Sequence, residues 1–200
     1  MDGRVVRGER TRTTVARSAA AIASVDGLSG MTLSQLADTI GVSKSSVQAA
    51  YRTKEDVQVA AVAAAAAVFS GAVVQPAMAA NEGLPRLLAL VETWLAYVER
   101  RVFPGGCFMV ATLAEYDSRP GSVRDALSRA RRQWLGLLER QAEVAQLAGD
   151  LPAAPSPAMV AFEVDALLSA ANIARNFTDD TAALSAAKDL IVLRLGGVRP

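Results

Sequence analysis

A chain of 200 residues that has no histidine and one cysteine, Cys107, is closed to several kinds of chemistry. Without an imidazole there is no Ser-His or Cys-His pair and the commonest metal ligand is missing, and one thiol cannot close an internal disulfide; no catalytic residue, metal site or cofactor is expected. A hydrophobic share of 52% with 5% aromatic residues suits closely packed, alanine-rich helices, so the expected fold is all-α.

Net charge is +1 but unevenly spread. Residues 1–54 carry eight Lys and Arg (Arg4, Arg7, Arg10, Arg12, Arg17, Lys44, Arg52 and Lys54) against four acids, a net +4 that leaves −3 for the remainder. A basic head on a mildly acidic body is the asymmetry of a protein that meets phosphate at one end. A disordered basic tail gives the same count, and Arg4 to Arg12 reads as such a tail. The first residues have no apolar stretch of the kind a secretory signal needs, so a cytoplasmic location is expected. The apolar run Val59 to Val74, broken by Ser70 and Gly71, falls short of the roughly 20 residues that span a bilayer and reads as a buried helix, with no membrane partner.

In chain order, the periodicity predicts a first helix from about Thr11 to Val25, with Val15, Ala19, Ile22 and Ala23 on one face and Gly27 as its stop. Thr32 caps a short second helix in which Leu33, Leu36, Ala37 and Ile40 share a face and Gly41 ends the segment. Ser43 caps a third, running to Tyr51. Thr53 with Asp56 resembles a capping box and opens a long apolar helix to about Gln75, where Pro76 bends or ends it. Asn81 is expected to cap a fifth helix to about Val102; Pro104-Gly105-Gly106 is a loop, and a sixth helix follows from about Cys107 to Tyr116. Asp117 to Gly121 makes a corner, and a seventh helix runs from about Ser122 to Ala148. After the proline-rich stretch Gly149 to Pro157, the last two span about Ala158 to Phe177 and Thr181 to Leu195. No strand is expected. The division is a helix-turn-helix head over 1–54 and a helical body over 55–200.

Leu33 to Arg52 carries the strongest functional signal. Ala37 is small where two helices would cross, Gly41 can take the left-handed conformation that ends the second helix, and Leu36, Ile40, Val42, Val47 and Ala50 supply a shared core. Lys44, Ser45, Ser46, Gln48 and Ala49 are left facing outward, the face that would enter a major groove. An ordinary helical hairpin is the competing interpretation in an alanine-rich chain.

These residues resemble the TetR family of transcriptional regulators, whose head reads G-V-S-K, two residues, an apolar residue, three residues, an aromatic residue, two residues, K-E; here the stretch is Gly41-Val42-Ser43-Lys44 through Val47 and Tyr51 to Lys54-Glu55. The resemblance covers residues 10–57 most closely. The body resembles a subgroup with the signatures Pro104-Gly105-Gly106-Cys107-Phe108 and Glu115-Tyr116-Asp117-Ser118-Arg119-Pro120-Gly121-Ser122-Val123-Arg124. It implies nine helices, a palindromic double-stranded DNA operator, a small-molecule effector held by the body, and a homodimer. Thr32 and Ser43, at helix starts, would hold phosphate oxygens; Lys44, Ser45, Ser46, Gln48 and Ala49 would read the groove; Lys54 and Tyr51 would clamp the backbone, although an aromatic ring at 51 equally fits a core position. Members often have Tyr and His where this chain has Gln48 and Ala50, and Gly where it has Ser45. Lost phosphate contacts weaken binding, while a Gln48 amide can bond an adenine edge. The alternative is a degenerate helical sensor or carrier that no longer binds DNA.

In the body, Trp94, Tyr97, Phe108, Trp134 and Phe162, with Cys107 and polar Asn172, are candidates for the wall of an effector site, although each alone would serve as core filling. Balanced charge and the lack of histidine favour a neutral or weakly charged apolar effector. The corner from Glu115 to Arg124 gathers carboxylates and guanidiniums but reads as structural, with Arg119 or Arg124 pairing with Glu115 or Asp117. The stripes Val160, Val164, Leu167, Leu168, Ala171 and Leu184, Ala187, Ile191, Leu195 are the expected dimer interface, as the resemblance implies. No enzyme is expected: the one adjacent serine-lysine pair, Ser43-Lys44, lies on the reading helix.

Overall fold

The computed structural model describes residues 3–196, with side chains from Gly8 onward, so the Arg4 and Arg7 side chains of the basic head lie outside the described residues. Among the described residues there are nine helices and no strand. Helix α1 spans Gly3–Gly30, α2 Leu33–Ile40 and α3 Lys44–Ala50. Helix α4 is α-helical over Lys54–Phe69, π-helical over Ser70–Val74 and closes with Gln75–Ala77. Then come α5 (Leu84–Glu99), α6 (Phe108–Tyr116), α7 (Ser122–Ala148), α8 (Pro157–Phe177) and α9 (Ala183–Arg194).

Three local outcomes differ from expectation. First, α1 begins at Gly3, so the stretch expected as a tail is helical, and Gly27 (φ 76) interrupts the helix while one more turn follows it to Gly30. Second, α5 starts at Leu84 rather than after Asn81, because Gly83 (φ 88) turns the chain and Pro85 presets the first helical turn. Third, α4 is distorted ahead of Pro76, in keeping with the expected bend, and ends two residues later than about Gln75, at Ala77. A proline has no N–H and its ring crowds the carbonyl four residues back; the π turn just upstream accommodates this, with Gln75 N–H bonding the Ser70 carbonyl five residues back and the Thr93 hydroxyl 3.0 Å from the Val73 oxygen. The continuous helix Lys54–Ala77 has 24 residues; by length and composition alone it and Pro157–Phe177 could cross a bilayer, a test that packed core helices also pass. The expected Thr53–Asp56 box is present, with both reciprocal bonds at 3.0 Å.

The chain divides into two compact units, one made by residues up to Val68 together with Phe103–Arg129, the other by Phe69–Val102 together with Ala130 onward. The three-helix head is therefore not a unit by itself. In the first unit α6 lies along α1, and Val15, Ala19, Leu28, Met31, Leu36, Val47, Val57 and Phe108 are buried together with Leu127 of α7. Small residues dominate the α1 side, which lets the helix axes approach closely.

The second unit is built around α5, α8 and α9, which pack on one another in all three pairings. Leu87, Leu90, Trp94, Val164, Leu168 and Ile191 are buried in this core, and exposed ion pairs (Lys188–Glu92 at 3.0 Å, Arg194–Glu163 at 2.9 Å) link its helices. This overturns the expected dimer stripe. Val164, Leu168, Ala171, Leu184, Ile191 and Leu195 are all buried inside their own chain. Both helices are apolar on two faces, so the 3.6-residue period fits two stripes and does not say which one turns inward.

Because Leu168 is 1% exposed, Leu168→Ala should lower the unfolding free energy by about 2–5 kcal/mol in denaturant titration. Leu147→Ala, at an 82% exposed position, should change it by less than about 0.5 kcal/mol.

Candidate nucleic-acid interface

The head presents a short helix, a tight turn and a second short helix, each end fixed by its own sequence. Thr32 opens α2: its hydroxyl accepts from Gln35 N–H at 3.1 Å while the Gln35 side-chain oxygen accepts from Thr32 N–H at 3.5 Å. Gly41 closes α2 in the left-handed region (φ 69), and Val42 N–H returns to the Ala37 carbonyl at 3.0 Å. Ser43 then caps α3, its hydroxyl accepting from Ser46 N–H at 3.2 Å and lying 2.8 Å from the hydroxyls of both Ser45 and Ser46.

Leu36, Ala37 and Val47 are the buried contacts that hold α2 and α3 together. The shared core is smaller than expected: Ile40 and Ala50 are half-buried, and Val42 is 36% exposed because the turn carries it outward. Thr32, Ser43, Lys44, Ser45, Ser46, Gln48, Ala49 and Lys54 are all exposed, and five of them lie along one length of α3. Among the described ion pairs none engages Lys44 or Arg52, so these two cations are not neutralised by a neighbouring carboxylate.

Two residues named as backbone clamps are already occupied. The Tyr51 hydroxyl donates to the Arg12 carbonyl at 3.1 Å, and the Arg12 guanidinium both donates to the Ala50 carbonyl at 3.0 Å and lies 5.7 Å from the Tyr51 ring centre. Burial pushes the Tyr51 phenol up, against the opposing pull of Arg12, so it stays a protonated donor well above neutral pH. Tyr51 thus ties the end of α3 to α1, which corrects its assignment as a phosphate clamp. Lys54 donates to the Ser29 carbonyl at 2.8 Å and keeps two more N–H groups for other acceptors. Arg12, which finishes α3, was not singled out individually; nothing in its sequence surroundings distinguishes it from the other arginines of α1.

The residues named for an effector wall fall in both units. Cys107 and Phe108 belong to the first unit, where Phe108 meets Phe103 at 5.9 Å between ring centres. Trp94, Tyr97, Trp134, Phe162 and Asn172 belong to the second. Phe162 is 69% exposed on the outer side of α8, so it does not line an interior wall. The remaining aromatics gather around a residue the sequence did not mark: Phe69 meets Tyr97 at 5.6 Å and Trp134 at 5.1 Å, both edge-on. Trp134 Nε1 donates to buried Asp165 at 2.9 Å, and Arg131 pairs with the same carboxylate. Asn172 is buried and accepts from Asn176 at 3.1 Å.

A family model, tetracyclin repressor-like C-terminal domain, matches residues 83–191. Among solved structures, the chain is similar to a TetR transcriptional regulator from Chloroflexus aurantiacus J-10-FL (19% identity, TM-score 0.87, 95% of this chain and 96% of that one). It is also similar to a TetR-family regulator from Cytophaga hutchinsonii (20%, 0.82, 96% of each). A third, AibR in complex with isovaleryl coenzyme A and operator DNA, has 17% identity and a TM-score of 0.76 over 94% of this chain and 100% of that one. At these identities the likeness is one of fold. No curated protein matches the sequence.

Losing the hydroxyl in Tyr51→Phe should lower stability by about 1 kcal/mol, seen as a lower Tm, and leave the salt slope of DNA binding as in the parent, because no phosphate contact is removed. A reduced salt slope with an unchanged Tm would return Tyr51 to the phosphate contacts.

Proposed function

Since the chain belongs to the tetracyclin repressor-like family of DNA-binding transcriptional regulators, we propose that it is a cytoplasmic homodimeric repressor, released from a palindromic operator by a small apolar effector. The observation that carries this reading is the exposed face of α3. Lys44, Ser45, Ser46, Gln48 and Ala49 project from a helix whose start is capped by Ser43 and whose end is held by Arg12, beside the unpaired cation Arg52. Lys44 meets phosphate and Gln48 reads a base edge, with Thr32, Ser43 and Lys54 setting the register. In this reading residues 1–54 recognise DNA and residues 55–200 bind the effector and dimerise. No catalytic role is proposed.

The dimer surface is reassigned to the outer faces of α8 and α9. Met159, Phe162, Ile173 and Phe177 follow helical spacing along α8 and are 54–86% exposed; Leu190 and Leu193 of α9 are 51% and 62% exposed. Phe162, Leu167, Leu190 and Leu193 line a groove edged by Glu163 and Arg194. An apolar surface of this extent on two neighbouring helices is covered by a second copy of the same two helices, which also supplies the second reading head.

The effector is assigned to the second unit, near Phe69, Tyr97 and Trp134, with Trp94 and Asn172. AibR, of similar fold, was solved in complex with isovaleryl coenzyme A and operator DNA, which supports a small-molecule effector for a body of this fold. Coupling is reciprocal, so an effector that loosens DNA must itself bind the DNA complex less tightly.

The first test takes duplexes selected by the chain from a random-sequence pool. Lys44→Ala should weaken binding and reduce the salt slope by about 1, and Gln48→Ala should relax sequence preference, both with an unchanged Tm. If no duplex is selected, the DNA-free sensor is the better reading. The second is the mass in solution: the parent should be a dimer at micromolar concentration, and Phe162→Arg with Leu193→Arg should give a folded monomer. A monomeric parent would refute the interface.

A further inference from the structure

The corner from Glu115 to Arg124, which the proposed function leaves unused, holds the break in α1. After Gly27 the chain turns through Leu28 and Ser29, and side chains from two other helices and from the corner itself bond every polar group of this pair. The Glu115 carboxylate accepts from Leu28 N–H and from Ser29 N–H, both at 2.8 Å. Gln58 donates to the Leu28 carbonyl at 2.7 Å and Lys54 to the Ser29 carbonyl at 2.8 Å, while Arg119 donates to the Ser29 hydroxyl at 3.1 Å. Ser122 of the same corner bonds Glu55 in the first turn of α4. Neither arginine pairs with Glu115 or Asp117: Arg119 lies 5.9 Å from the Tyr116 ring centre, and Arg124 donates to the Asp117 carbonyl at 3.3 Å.

The placement of these bonds matters more than their number. The reading motif occupies residues 32–52; its entry is the Leu28–Met31 turn, which leads directly into Thr32, and its exit is Thr53–Lys54. The Lys54–Ser29 bond joins exit to entry, and Glu115 joins the entry to α6. A β-carbon at Gly27 would lie 2.6 Å from the Glu115 oxygen, so the carboxylate occupies the space that the glycine leaves open.

We propose that Glu115 is a positioning residue for operator recognition: it touches no DNA, but by bonding Leu28 and Ser29 it fixes the direction in which the chain enters α2 and hence the pose of α3. This inference rests on the DNA-reading assignment of α3. Three accounts of Glu115 make different forecasts. A carboxylate in a basic head repels phosphate, so by charge alone its removal strengthens binding. As a purely structural residue its loss lowers stability and leaves affinity intact. As a positioning residue its loss weakens binding, and the salt slope stays as in the parent because no phosphate contact is removed.

The experiment measures affinity and salt dependence of the full chain for a duplex it has itself selected from a random pool, at a temperature where all variants are folded. Glu115→Gln should bind about tenfold more weakly with the parental salt slope. Gln58→Met, which removes the donor to Leu28 without changing charge, should weaken binding in the same direction and decides the matter if Glu115→Gln fails to fold. Val62→Ala, at a buried position in α4, should lower the Tm and leave affinity unchanged. Equal or tighter binding by Glu115→Gln, or an equal loss with Val62→Ala, overturns the positioning role. A parent that selects no duplex overturns the DNA-reading assignment together with it.

Discussion

A helix that breaks leaves backbone N–H and C=O groups without their partners in the helix, and each needs another. At Leu28 and Ser29 those partners are side chains: Glu115 for the donors, Gln58 and Lys54 for the acceptors. The first unit depends on this arrangement. It holds the break in α1 at Gly27, sends the chain into α2 through Thr32, and makes residues 103–129 part of the same compact body as the reading head. Alanine along α1 and α4 supplies closeness, but small apolar side chains alone do not fix an angle. The directional bonds at the corner do.

In the second unit a different constraint governs. Helices α8 and α9 are apolar on two sides, and α5 takes one of them. Folding buries the stripe containing Leu168 and Ile191, and it leaves Phe162, Ile173, Phe177 and Leu193 outside. The same two helices thus contribute one face to their own core and leave a second for association. Asp165 shows how closely the inside is specified: its carboxylate is shared by Arg131 and Trp134, and Trp134 in turn meets Phe69, which follows directly on the first unit in sequence.

What could be read in the sequence was what is decided locally. Thr32, Ser43 and the Thr53–Asp56 pair cap the helices they were expected to cap, because a cap needs only residues three or four positions apart. Long-range partners were not legible. Nothing near Tyr51 shows that its hydroxyl reaches Arg12, and nothing near Glu115 shows that it caps residues 86 and 87 positions earlier. The phase of α8 was misjudged for a related reason: a helix with two apolar faces has no sequence mark for the inner one. The effector-wall residues gave no sign of which unit each would join: Cys107 and Phe108 fall in one and Trp94 and Trp134 in the other.

The pairing of Gly27 with Glu115 constrains how this sequence can drift. While the carboxylate stands at 115, any side chain at 27 collides with it and is also strained by the positive φ. Shortening or removing the acid first leaves the Leu28 and Ser29 N–H groups without their carboxylate acceptor, and substituting the glycine first pushes the acid out of place. Neither step is neutral, and each makes the other easier. The two positions therefore form one heritable unit spread across 88 residues of chain, and related sequences should have both residues or have rebuilt the corner.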